Sequence, residues 1–244
     1  MTGTSSGIGA AVAGRLLHEE WQVVGVARRP APIRHPRYTH LKIDLSDLDE
    51  TTSVVANTIV PMVTAQAWNR VGLVNNAALG GQLGPTERID VRQLPRLFAV
   101  NVSSPIHLMG AILRCAPATA SVRMVNVSSG AAVRAFPGLT AYSTTKAALR
   151  MAGLVLAAEL DSPQRDAALP ADTAILSYEP GTVDTEMQTD TRNTPVSQFP
   201  WVQIFKNFKA NGMLVTPDKP AAEIAAFLAG DGHGRFTERR YGRS

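Results

Sequence analysis

Tyr142 and Lys146 stand four apart in Tyr142-Ser143-Thr144-Thr145-Lys146, a spacing that stacks two side chains on one face of a helix. A phenol titrates near pH 10 and is a poor acid–base group at neutral pH. An ammonium one turn away favours the phenolate and lowers that value by roughly 1–3 units. Such a pair is suited to moving a proton at a substrate oxygen, although the spacing alone also describes a solvent-facing pair. Ser129 lies 13 residues earlier, after the apolar run that precedes Ser128, and offers a second hydroxyl donor.

A different chemistry is written near the start. Gly3-Thr4-Ser5-Ser6-Gly7-Ile8-Gly9 lets backbone approach a pyrophosphate, and a helix starting at Ile8 offers unpaired N–H groups and a positive dipole end. Ser5 and Ser6 add hydroxyl donors. Many loops are glycine-rich, so the turn carries little alone. The next apolar run ends in Ala27-Arg28-Arg29, where a carboxylate would bind both ribose hydroxyls of NAD. Two guanidiniums there can instead fork onto a 2′-phosphate, which favours NADP. Asp44, followed by Leu45, could accept from an adenine amine or could equally cap the helix after Ser46.

The elements needed to hold these residues alternate. Residues 23–27, 38–43, 71–74, 121–127 and 173–177 read as strands, and 8–19, 48–68, 87–113, 142–160 and 221–228 as helices. This order predicts an α/β fold: a doubly wound parallel sheet of Rossmann type with helices on both faces, in one domain over 1–244. In such sheets ligands sit beyond the carboxyl ends of the strands. The glycine turn, Asn75-Asn76-Ala77-Ala78, Ser129 and Pro180-Gly181 all follow strands, so they converge on one edge. Only Met1 and Thr2 precede Gly3, so the central first strand is missing. Its neighbours would keep unpaired backbone at about 1–3 kcal/mol for each buried group. The expectation is a natural start upstream of Met1.

Composition narrows the class. With 45% hydrophobic and 18% charged residues, the chain is neither disordered nor membrane-like. No apolar run reaches the roughly 20 residues of a spanning helix and no leader pattern opens the chain, so a cytoplasmic protein is expected. Cys115 is the only cysteine, which argues against a disulfide or a thiolate metal site, and no metal is expected. The net charge is +4, but the arginines are scattered without interleaved aromatics, so no nucleic-acid partner is expected.

Taken together, Thr2-Gly3-xxx-Gly7-x-Gly9, Asn75-Asn76-Ala77, Asn101, Ser129, Tyr142-xxx-Lys146 and Pro180-Gly181-x-Val183-x-Thr185 resemble the short-chain dehydrogenase/reductase family, with Ala78 in place of the usual glycine. The resemblance implies an oxidoreductase in which Tyr142 donates a proton and Ser129 binds the substrate carbonyl. It also implies that Lys146 binds the nicotinamide ribose, Asn101 holds a water in a proton relay, and Val183 and Thr185 position the carboxamide. It further implies a homodimer or homotetramer built on helices 87–113 and 142–160. The run Pro180–Gln188 and a polar segment ending near Gly212 look like the sepiapterin and benzil reductase branch, which reduces vicinal dicarbonyls.

The expected activity is NADPH-dependent reduction of a ketone or vicinal dicarbonyl, a small-molecule substrate. An NADP-linked alcohol dehydrogenase and a non-catalytic NADP-binding sensor are the alternatives. A substrate lid is expected over about 186–214, with Phe136, Met187 and Trp201 as an apolar wall, although Phe199, Trp201, Phe205 and Phe208 could equally pack a surface excursion. Glu238 falls near the place where sepiapterin reductases anchor a pterin with an acidic residue. It could instead pair with Arg239 or Arg240.

Overall fold

The computed structural model describes residues 1–243. Six strands run parallel: β1 (Val23–Ala27), β2 (Tyr38–Lys42), β3 (Arg70–Asn75), β4 (Ser121–Val127), β5 (Thr173–Glu179) and β6 (Phe236–Arg240). β1 and β2 form one sheet, and the others form a second in the order β3-β4-β5-β6. Where a first strand is expected between β1 and β3, the structure has a thread of three residues. Thr2 N donates to Val74 O at 2.9 Å, Gly3 N to Val26 O at 2.7 Å, and Val26 N to Met1 O at 2.9 Å. Among the described residues, one bridge, Thr2 with Val26, and the bond to Val74 O hold this thread between its neighbours.

Side chains alternate across the strands, and both faces are covered. Leu73, Met124 and Ile175 point to one core, their successors Val74, Val125 and Leu176 to the other. The first core is covered by α2 (Leu48–Val54), α3 (Val60–Thr64), α5 (Ser104–Cys115) and α6 (Thr140–Asp161), the second by α1 (Gly7–His18) and α9 (Asp218–Ala229). The short α4 (Leu94–Phe98) leads into α5 through a π-helical turn over Ala99–Ser103.

Three differences from the sequence expectation have local causes. The helix expected over 87–113 is interrupted: 3-10 turns lead up to Pro95 and a π-helical turn precedes Pro105, each proline lacking the N–H that a continuous α-helix needs. The stretch Val91–Cys115 is long and apolar enough to pass for a membrane span, with a mean hydropathy of 1.2. It nevertheless flanks the sheet, with Leu97, Val100, Leu108, Met109 and Ile112 in contact with the interior. Finally, residues 186–214 form two short helices, α7 (Glu186–Asn193) and α8 (Val202–Ala210).

Candidate active site

The glycine turn is fixed from below. Asn76 Nδ2 donates to the carbonyls of Thr2 and Gly3, while the N–H groups of Asn76 and Ala77 both donate to Thr2 Oγ1 at 3.0 Å. A Cβ on Gly3 would lie 2.5 Å from Asn76 Nδ2, and one on Gly9 would strike the Gly3 carbonyl. Glycine at these two positions is therefore a packing requirement. Ser6 precedes α1 without capping it through its side chain, so the first N–H groups of α1 keep no such partner and face the groove. Bare backbone donors at a helix head fit a pyrophosphate. Thr4, fully buried, ties the turn to Tyr38 through a 2.8 Å hydroxyl pair; the sequence reading missed this link.

Beyond the ends of β1 and β2, three arginines surround two carboxylates. Asp44 accepts from Ser46 N at 3.0 Å and Ser46 Oγ at 2.7 Å, with Arg28 at 4.0 Å and Arg96 at 3.7 Å. Partial burial opposes its ionisation, but the Ser46 bonds and the two arginines prevail and hold the carboxyl below its ordinary value. Asp47, not Asp44, caps α2. Leu45 turns its side chain into the core and gives its carbonyl to Ser104 Oγ. Arg29 reaches across to Glu186, at 2.6 Å, a partner with no signal in the sequence.

At the far end of the groove α6 begins. Lys146 is buried, donates to Val127 O at 2.8 Å, and sits 5.7 Å from the centre of the Tyr142 ring. Burial pushes the Tyr142 phenol up to about 12, with the Ser129 hydroxyl pulling the other way. Burial also brings the Lys146 ammonium down to about 8. Ser129 Oγ accepts from Ala131 N at 3.2 Å, which fixes its turn. The Asn101 side chain is fully engaged. It donates to Leu79 O (2.9 Å) and Thr145 Oγ1 (3.0 Å), and accepts from Leu79 N (2.8 Å). Its backbone carbonyl faces Pro105 four residues on, which has no N–H to give it.

Pro180-Gly181-Thr182-Val183 closes the groove. Gly181 takes φ +75°, Val183 bridges to Val215, and Thr185 caps α7 by accepting from Gln188 N. The Thr185 methyl lies 3.2 Å from where Gly7 would place a Cβ, so the glycine turn and the Pro180–Thr185 segment meet. Met187 approaches Gly80 from the same segment. Phe136 and Trp201 pack with Leu139, Phe199, Val202 and Phe205 in a separate small core. Glu238 is bound by Arg150 on α6 at 2.6 and 2.7 Å, rather than by Arg239 or Arg240. With Ser129, Arg134 and Glu179 it lines a cleft of about 280 Å³.

Comparison with known proteins agrees with this geometry. The short chain dehydrogenase family model matches residues 1–195. A benzil reductase ((S)-benzoin forming) of Bacillus subtilis is 28% identical over 97% of this chain and 95% of that protein. A sepiapterin reductase of Bos taurus is 30% identical over 68% of this chain and 60% of that protein. A solved short chain dehydrogenase/reductase from Saccharomyces cerevisiae superposes with a TM-score of 0.83 at 26% identity, covering 99% of this chain and 94% of that one. The chain belongs to the short chain dehydrogenase family, in the branch that resembles benzil and sepiapterin reductases.

Proposed function

We propose that this enzyme reduces a ketone or vicinal dicarbonyl with NADPH, with Tyr142 as proton donor. The observation that carries the reading is Tyr142 beside Ser129 and buried Lys146, at one end of a groove whose other end carries Arg28 and Arg29 but no carboxylate on Ala27. When bound, the nicotinamide supplies the hydride. Ser129 and Tyr142 donate to the substrate oxygen as negative charge grows there, and Tyr142 then gives up its proton. Burial, and not the lowering expected from Lys146, sets the phenol at about 12, so it keeps its proton throughout the neutral range and gives it up only as charge grows on the substrate oxygen. Lys146 returns positive charge to Tyr142 once it turns from Val127 O toward the ribose. A relay water falls to the Asn101 backbone carbonyl, since its side chain is engaged.

Arg28 and Arg29 would hold the 2′-phosphate, with Asp44 and Leu45 beside the adenine. Met187 borders the substrate, and the aromatic group around Phe199 supports a lid. Exposed Ile106 on α5, with Met151 and Val155 on α6, would meet a second copy in a homo-oligomer.

NADPH oxidation with benzil, a phenyl diketone, sepiapterin and a simple aliphatic ketone tests the assignment. Tyr142→Phe should cost about 10²–10⁴-fold in turnover while NADPH still binds. Arg28→Ala should raise the KM for NADPH far more than that for NADH. Turnover of the Phe variant at the wild-type rate would remove Tyr142 from the mechanism, and an unchanged cofactor preference would remove Arg28.

A further inference from the structure

Arg29 follows β1, and Glu186 opens α7, 157 residues later. Their side chains meet over the groove that leads from the glycine turn to the adenosine side. Arg29 Nη2 lies 2.6 Å from Glu186 Oε2 and Nη1 lies 3.4 Å from Oε1. The same Nη2 is 3.4 Å from Ser6 Oγ, within the phosphate-binding turn. Directly beside this bridge, the Thr185 methyl covers Gly7. One ion pair therefore spans the mouth of the groove and ties it to the first residue of α7.

A guanidinium presents two bidentate edges, Nη1/Nη2 and Nε/Nη2. Glu186 occupies the first. Nη2 belongs to both, so a phosphate approaching along either edge meets a nitrogen already held by a carboxylate. Two anions about one nitrogen repel, and the exposed one on a mobile side chain yields. We propose that Glu186 is a built-in competitor for Arg29, displaced by the phosphate of the incoming cofactor. Glu186 then sets cofactor affinity, and its release frees the start of α7 as the groove fills. The inference rests on the reading of this groove as the site of a phosphorylated dinucleotide.

Calorimetric titration with NADPH and NADH tests it in the wild type, Glu186→Gln, Arg29→Ala and the double variant. Glu186 is exposed and Gln keeps its length, so the fold is not at stake. Glu186→Gln should lower the Kd for NADPH about two- to fivefold, in keeping with a solvent-exposed ion pair. Raised salt should shrink the gain, and it should vanish on the Arg29→Ala background. Equal tightening of NADH would assign the displaced group to the pyrophosphate beside Ser6 and would also support the inference. Unchanged NADPH binding overturns it. So does weakened binding, which would make the pair a clasp over bound cofactor. Failure of the NADP reading shows separately, as a wild type that binds NADH as tightly as NADPH.

Discussion

Lys146 and Tyr142 carry opposite effects of the same burial, and only one of them changes protonation near neutrality. An unfolded lysine titrates near 10.5, and this one is brought down to about 8. Between those values the unfolded chain binds more protons, so folding stability rises with pH across that window. The buried ammonium is thus a cost present below pH 8 and gone above about 10.5. Lys146→Met removes the titration. The wild type should therefore gain on this variant by about 2–3 kcal/mol between pH 7 and 10.5, read as the difference between their thermal melts without cofactor. A difference that stays flat with pH would mean that the ammonium keeps its water. The Tyr142–Lys146 spacing was legible in the sequence through helix periodicity, and Ser129 through its place at the end of an apolar strand. The bond from Lys146 to Val127 was not, since nothing local encodes which carbonyl a long side chain finds.

Among the elements, the α7–α8 excursion departs furthest from its sequence signal. The eight residues of α7 are almost wholly polar, and the helix is held by its Thr185 cap and by Arg192, which is buried against Asp184, Gln188 and Thr189. β6 was missed for a similar reason: Phe236-Thr237-Glu238-Arg239-Arg240 is an edge strand with one apolar residue. Of the two roles the sequence left open for the aromatics in and before α8, their contacts show the packing one. Phe199 is fully buried and stacks against Trp201 and Phe205 at 6.2 and 5.6 Å, and this small core rests on the turn at Gly138. Gly138 has φ +79°, and a Cβ there would lie 2.5 Å from the Phe199 ring and 2.9 Å from Trp201. Gly138→Ala should cost about 1–3 kcal/mol from backbone strain and overpacking. It should also raise the KM for the carbonyl substrate while leaving the NADPH Kd within twofold. An unchanged KM would separate this aromatic core from substrate binding.

Across the whole molecule, chemistry and support lie at opposite rims of the sheet. Arg123, fully buried near the start of β4, forks onto Asp172 at 2.9 Å twice and donates to Gly230 O at 3.1 Å. Arg70 adds bonds to Leu228 O and Gly230 O. These contacts join β3, β4, the approach to β5 and the end of α9. Six residues further on, just past the end of β4, stands Ser129, roughly 20 Å away at the rise of an extended chain. Arg123→Met should therefore lower stability by about 1–3 kcal/mol, the cost of the carbonyls it leaves unpaired, a fall of roughly 2–12 °C in Tm, with kcat/KM unchanged at 25 °C. A matching loss of activity would show that the two rims are coupled. Short apolar runs alternating with longer helix-like ones made the sheet legible from the sequence. The buried arginine was not, because a charge within a strand reads as an exposed position.

That separation bears on how such a protein can change over generations. Sites so far apart contribute nearly additively, and most substitutions around a binding cavity erode stability. A surplus held by the Arg123 rim can absorb those losses. Replacements along the proposed substrate side, at Met187 for one, can then be sampled without unfolding the chain. The lower rim is, in this sense, the molecule's capacity for innovation.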